Sequence, residues 1–355
     1  MKNANVLILD ASALSNNFLK LNARFCGKVI CVLKADAYGH GLKATAKILY
    51  SAGARRFAVA NIDEAVSLRK AVALYDAKIF SLGYIPEKRL LDAAKYAVCV
   101  PILSEEYCDS LLRSGRRLDC YLLIDSGMNR LGVDHRDVAA IERVLLKVKS
   151  SGRLKLSGAA THFSDGENET ATAIQSERFF KAVGGKVTDI SLRASAAGYL
   201  AVDDFPRIGL SLFGYGALAK ELGLIVPLTL RSRIIRIKRV EKGETVGYNA
   251  VYTAKRQTFV GTFPLGYADG IMRGYIGGNV FVNGKKRTII AVCMDMTMIE
   301  LTGDEKCGDE VVVFSKEGNL LSLTKRAGTI VYEGLTALRY RAERVMTKCA
   351  TAARK

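Results

Sequence analysis

The stretch HRDVAAIERVLLKVKSSGRLKLSGAATHF, His135–Phe163, holds in miniature the alternation that organises the first two thirds of the chain. Ile141, Val144, Leu145 and Val148 fall at i, i+3, i+4 and i+7, one face of a helix. A Ser-Gly break follows, and Leu156–Thr161 then reads as a short strand. The same two textures repeat on either side. Strand-like runs stand at Val29–Leu33, Phe57–Ala60, Lys78–Leu82, Ala97–Leu103 and Leu118–Ile124 upstream, and at Val187–Leu192 and Arg207–Phe213 downstream. Helical patterns such as GLKATAKILYSAG, NIDEAVSLRKAVALY, PEKRLLDAAKY, SEEYCDSLLRSG and ATAIQSERFFKAV separate them. Near-continuous apolar strands suit a parallel sheet covered by helices.

Eight such strands predict an α/β fold, an N-terminal (β/α)8 TIM-like barrel over residues 1–225. An open doubly wound sheet is the alternative, but the glycine-rich dinucleotide fingerprint that usually follows its first strand is missing. Beyond residue 225 the texture changes. RSRIIRIKRV, RQTFVGTFPL, GNVFVNGKKRTIIAV and GDEVVVFS read as strands without long helices between them, and Asn283-Gly284 signals a two-residue hairpin. Residues 226–355 therefore read as a separate, mostly β domain.

Composition narrows the class. With 355 residues, 49% hydrophobic and 25% charged, the chain has room for a large core and no disordered bias. Its apolar runs are too short to span a bilayer, and the N-terminal MKNANVLILDASALSNN is too short in apolar residues for a secretory signal. Eight cysteines form no C-x-x-C pair, and several sit inside KVICVL, AVCVPIL and DCYLLI as small hydrophobes. A reducing cytoplasm is the plain reading, with no disulfide framework and no metal site, since none of the three histidines neighbours a cysteine at ligand spacing. The net charge of +18 is spread, with 31 basic and 23 acidic residues up to 225 and 22 and 12 beyond. No stripe or motif for nucleic acid accompanies it, so the excess reads as surface.

Barrel geometry places an active site at the C-terminal strand ends, with phosphate commonly bound after strands seven and eight. Lys34 follows the first strand, Asp125–Arg130 the fifth, Thr161-His162 ends the sixth, Ser195 follows the seventh, and Arg207 with Gly209 marks the eighth. Each has a plain reading beside the functional one. Lys34 could reach solvent and His162 could be a hydrogen-bonded core residue. Arg207 inside a strand demands a partner, because an unpaired buried guanidinium is costly. Their convergence on one mouth favours a site.

These residues also match a family. Val32–Gly41, VLKADAYGHG, closely resembles the pyridoxal-phosphate lysine motif of bacterial alanine racemases. DSGMNRLG (Asp125–Gly132), Thr161-His162-Phe163, Arg207 with Gly209, GYNAVYTA (Gly247–Ala254), PLGYADG (Pro264–Gly270), CMDMTM (Cys293–Met298) and Tyr332-Glu333 with Tyr340-Arg341 resemble further motifs in the family's order, from about Leu9 to Arg341.

The resemblance implies a pyridoxal 5'-phosphate enzyme that racemises alanine by two bases, supplying D-alanine for cell-wall synthesis. Lys34 would carry the cofactor and act as one base. Tyr248 would be the other, supplied by the second subunit of a head-to-tail homodimer, with His162 near it. Arg207 would face the pyridine nitrogen. Tyr38, Ser195, Gly209, Leu210 and Tyr340 would hold the phosphate. Arg130 would bind the cofactor and the substrate carboxylate, Met294 would help hold that carboxylate, and Tyr267 would line the entrance. Two positions depart from the pattern. Leu123 replaces a lysine that is often carbamylated, leaving Arg130 looser or held by another anion. Ser191 and Ala194 replace a histidine and an asparagine, so the outer bonds around Arg207 must differ. A racemase acting on serine or another small amino acid is the alternative. A single-domain pyridoxal-phosphate homeostasis protein is a weaker one, since it lacks the β domain and any counterpart of Tyr248.

Overall fold

The computed structural model describes residues 4–71, 76–200, 202–317, 319–338 and 341–347. Two compact units emerge. One contains Ser15–Ala37 and Gly41–Leu224; the other contains the chain up to Leu14, Tyr38–His40 and the chain from Ile225.

The first unit is the eight-stranded parallel barrel. Its strands, in barrel order, are Ile30–Val32, Arg56–Val59, Lys78–Ser81, Val98–Ile102, Leu118–Asp125, Leu154–Ala160, Ile190–Ser191 and Arg207–Ile208. The eighth returns to the first through Arg207↔Ile30 and Ile208↔Cys31. Between seventh and eighth the ladder thins to a single parallel bridge, Ala194↔Arg207. The last two predicted strands are thus shorter than expected. Arg207–Phe213 keeps only two strand residues, because Gly209 (φ −115°, ψ −86°) turns the chain into a 3-10 helix, Leu210–Phe213.

The helix of the opening motif spans Val138–Ser151. Asp137 caps it by accepting from the Ala140 N–H, and Gly152, at φ 60°, ends it in the left-handed conformation that glycine adopts without strain. Ile141, Val144 and Val148 are buried on its inner face.

In the second unit a nine-stranded sheet runs Arg236–Val240, Thr258–Phe263, Thr297–Leu301, Lys285–Val292, Asn279–Val282, Glu310–Phe314, Leu228–Arg233, Val6–Leu9, Glu343–Met346. Asn283 (φ 48°) and Gly284 (φ 75°) make the expected two-residue turn, both at the positive φ such turns need. Two features were not expected. RSRIIRIKRV splits between two strands that lie far apart in the sheet order. Val6–Leu9 belongs to this sheet, pairing with Leu228–Arg233 and Glu343–Met346. Its burial on nearly every position gives no sign, from local pattern, of which sheet it joins.

Cys31, Cys99, Cys108 and Cys120 are free and buried, and burial pushes the Cys99 thiol up to about 12 and that of Cys108 to about 11. Cys349 lies outside the described residues. No helix among the described residues is long and apolar enough to cross a membrane.

Candidate active site

Lys34 follows the first barrel strand and opens a turn in which Ala35, Asp36, Ala37 and Tyr38 all have φ between 52° and 55°. Four successive left-handed residues with side chains cost roughly 1–2 kcal/mol each. The turn holds because its polar groups are matched. The Ala37 N–H donates to the Leu33 carbonyl (2.9 Å), and Asp36 Oδ1 accepts from the Leu42 N–H (2.7 Å). Glu64 is the main brace, its two oxygens accepting from the N–H groups of Ala35 and Ala60, each at 2.8 Å. Sequence reasoning missed Glu64. Its signal was Asn61-x-x-Glu64, a capping pattern, and the Asn61 side chain does accept from the Glu64 N–H (2.9 Å). Burial, with help from Arg130 and Arg207, holds the Lys34 amine below the ordinary lysine range, against a smaller opposing pull from Glu64.

Arg207 is the most heavily bonded side chain of the mouth. Nη1 donates to the Ser191 carbonyl (2.7 Å) and to Ser191 Oγ (2.5 Å). Nη2 donates to the Thr161 carbonyl (2.6 Å) and reaches the Leu192 carbonyl (3.4 Å) and His162 Nδ1 (3.3 Å). Ser191, the small residue where a histidine was the family pattern, therefore supplies a side-chain acceptor, and carbonyls supply the rest. A guanidinium has only donors, so His162 Nδ1 must accept and its proton sits on Nε2. Burial first, then Arg207, Arg130 and Lys34, push His162 down to about 3, so the ring is neutral.

The loop after the seventh strand is fixed by a pair the sequence reading passed over. Arg193 Nε donates to Asp204 Oδ1 at 2.6 Å, both side chains being buried. Asp204 Oδ2 accepts from the N–H groups of Leu192 and Arg193, each at 2.8 Å. Arg193 Nη1 donates to the Leu200 carbonyl (2.8 Å), and the guanidinium lies over Phe25 at 4.9 Å. Ser195 follows, its Oγ accepting from the N–H groups of Gly209 (3.2 Å) and Ser211 (3.4 Å).

Arg130 sits on a loop built on Asp125, whose carboxylate accepts from the N–H groups of Gly127, Asn129 and Arg130. Gly132 (φ 124°) closes it, where a Cβ would lie 2.7 Å from the Asp125 nitrogen. The Arg130 side chain is exposed and has no hydrogen bond or ion pair among the described residues. Leu123 packs with the Cys99, Tyr121 and Ala160 cluster, so no side-chain anion stands at that position.

The barrel unit thus brings together Lys34, Arg130, His162, Ser195, Arg207, Gly209 and Leu210. In the other unit, Tyr38 is buried with its ring 6.0 Å from that of Tyr332. Tyr248 is 74% exposed, Met294 52% and Tyr267 44%. Three separate motifs meet there. Arg341 bonds Asp295 (2.7 Å) and lies 3.4 Å from Asp269, whose other oxygen accepts from the Gly266 N–H (2.9 Å). Tyr340 lies outside the described residues.

Several donors here are unused. The Nε–H of Arg207 and the N–H of Leu210 make no hydrogen bond among the described residues, and the buried Ser211 hydroxyl has no partner. An amine of lowered basicity, a lone guanidinium N–H and a cluster of hydroxyl and amide donors after strands seven and eight fit a phosphorylated pyridine aldehyde.

Residues 9–217 match the family described as alanine racemase, N-terminal domain, and residues 227–346 that described as alanine racemase, C-terminal domain. Alanine racemase of Carboxydothermus hydrogenoformans is 35% identical, over 88% of this chain and 91% of that protein. Alanine racemase 1 of Bacillus subtilis is 34% identical, over 92% and 88%. The solved structure of alanine racemase from Bacillus anthracis with bound L-Ala-P superposes with a TM-score of 0.88 at 28% identity, covering 98% of this chain and 96% of that one.

Proposed function

The chain belongs to the alanine racemase family, and from that premise we propose that it interconverts L- and D-alanine on pyridoxal 5'-phosphate by two bases, Lys34 and Tyr248 of the partner subunit. The observation that carries the reading is the barrel mouth itself: a lysine of lowered basicity beside Arg207, His162 and a set of unused donors.

The chemistry supplied by pyridoxal 5'-phosphate when bound is an electron sink for the charge left at Cα when its proton departs. Lys34 would carry the cofactor. Arg207 would direct its free Nε–H at the pyridine nitrogen; a guanidinium keeps its proton, so that nitrogen stays an acceptor. Ser195, Ser211 and the N–H groups of Gly209 and Leu210 would hold the phosphate, with Tyr38 and Tyr340. Arg130, with no partner of its own, is available to the substrate carboxylate. The Met294 N–H is likewise unpaired among the described residues and would hold that carboxylate from the partner subunit. Tyr267 would line the entrance.

Inversion needs a base on each face of Cα. The lowered basicity of Lys34 leaves more of its amine neutral and able to accept a proton. A phenol is a weak base at neutral pH, but a hydrogen bond donated to its oxygen favours the phenolate. His162 has its proton on Nε2 and is suited to donate it there. Exposed Tyr248, Val251, Met294 and Met296, all in the same unit, support a homodimer with shared active sites. We read the product as D-alanine for peptidoglycan, made in the cytoplasm.

The test is a racemisation assay with added pyridoxal 5'-phosphate across L-alanine, L-serine and other small amino acids. Alanine turnover lost in Lys34→Ala is expected. Full activity in that variant, or a preference for serine over alanine, would overturn the reading.

A further inference from the structure

(β/α)8 interiors are normally filled by layers of bulky side chains. Here the lining positions include Ala58, Ala160 and Ser191, and a half-open pocket of about 200 Å³ remains among the barrel strands, where Ile30, Arg56 and Lys78 begin theirs. Leucine or valine at the alanines would fill it, and most barrel strands do carry such residues. The pocket is open on one side and lined by both aromatic and charged side chains, so a solute can enter it.

The lining says what. Phe80 and Tyr121 stand edge to face at 6.0 Å and offer an aromatic wall. Arg56 and Lys78 bring cations. Neither has an ion-pair partner among the described residues: Lys78 lies over Phe80 at 5.3 Å, and Arg56 lies over Phe205 at 4.7 Å and donates to the Gly27 carbonyl. With Arg207 they outnumber the one acidic lining residue, Asp189. The cavity lacks the loop amides that cradle a phosphate; N–H groups there pair with neighbouring strands, as Ala159 does with Asp189.

We propose that this cavity binds a small aromatic monocarboxylate, and that its occupancy is coupled to the active site through Arg207. The carboxylate pairs with Lys78 and Arg56, and the ring packs against Phe80 and Tyr121. Ser191 and Arg207 both line the cavity and are bonded to each other, so an occupant acts on the same guanidinium that serves the barrel mouth. Coupling of this kind is reciprocal: cofactor and occupant change each other's affinity by the same factor.

Benzoate is the probe, titrated calorimetrically into the full chain with pyridoxal 5'-phosphate present. One saturable site per chain is expected, with no comparable binding of benzylamine. Lys78→Met should weaken it about tenfold, the scale of one charge-assisted bond. Ala58→Leu should abolish it; Ala160→Val serves the same arm if that variant folds poorly. Saturating alanine and Arg130→Ala should leave it intact, which separates the cavity from the substrate's carboxylate site. No saturable benzoate binding, displacement by alanine, or wild-type affinity in Lys78→Met and the filled variants would each overturn the proposal. Heat of binding does not depend on which reaction the barrel mouth performs, so the outcome is independent of whether the racemase reading holds.

Discussion

Ser191 Oγ accepts a hydrogen bond from Arg207 Nη1 at 2.5 Å and donates one to the Phe205 carbonyl at 2.5 Å. A two-atom side chain thus links the seventh strand, the eighth strand and the guanidinium of the barrel mouth. Removing it should disturb Arg207 without emptying the site.

Ser191→Ala should therefore raise the dissociation constant for pyridoxal 5'-phosphate several-fold, a fraction of the about 1.5–3 kcal/mol that one hydrogen bond to a charged group contributes. The remaining bonds from Arg207 to carbonyls keep it in place. Fluorescence titration of cofactor-free protein checks this; unchanged affinity would mean the carbonyls alone fix the guanidinium.

The Arg193–Asp204 pair should matter for the phosphate end of the cofactor. Asp204→Asn leaves Arg193 buried without a counter-charge and weakens the bonds to the Leu192 and Arg193 amides, which should cost on the order of 3 kcal/mol. The informative comparison is pyridoxal 5'-phosphate against pyridoxal. A loop that merely stabilises the fold would lower both affinities alike, whereas a loop that positions Ser195 lowers only the first.

His162 gives a pH signature. Its folded value, about 3, lies below the ordinary 6.5, so the unfolded chain binds the proton first. Its contribution to stability is complete above about pH 6.5 and declines as pH falls towards 3. At pH 5 the loss is about 2 kcal/mol. In cofactor-free protein, His162→Gln should show a shallower fall in unfolding free energy from pH 7 to pH 5 than the parent. Parallel curves would mean that His162 is more solvated than its surroundings imply.

Lys34 has a depressed value as well, so its neutral form persists to lower pH than in an ordinary lysine. Modification of cofactor-free protein by an amine-selective reagent should reach half its maximal rate at Lys34 below pH 10.5, the ordinary value. Peptide mapping resolves that residue from the other lysines.

Glu64→Ala should strip two amides of their acceptor at the left-handed turn. A loss of about 1–2 kcal/mol is expected, since an exposed and a part-buried amide bond to a carboxylate are lost together. Thermal unfolding measures it, and Glu64→Gln, which keeps one acceptor, should fall between.

Much of the barrel was legible because each helix–strand unit repeats its own evidence. Ile141, Val144 and Val148 predict a buried face, and they have one. Asn283-Gly284 likewise needs positive φ at two residues and finds it. What escaped is non-local. Val6–Leu9 is not singled out as a strand by its local pattern, because its partners lie more than 200 residues away. RSRIIRIKRV mixes isoleucines with basic residues, and its break falls where two ladders diverge. The site shows the same division. Lys34, Arg207 and His162 stand at strand ends that geometry alone singles out, whereas Glu64 and Asp204 act on backbone amides that only the folded chain brings within reach.

The single bridge Ala194↔Arg207 gives the barrel a seam. A hoop of eight staves is only as tight as its weakest joint, and here the joint is made by the residue proposed to meet the cofactor. Hydrogen exchange should therefore start between the seventh and eighth strands, and loading the cofactor should slow it there more than elsewhere. Closing the hoop and filling the site would then be one event, and apoprotein should be cleaved by added protease faster than the loaded form.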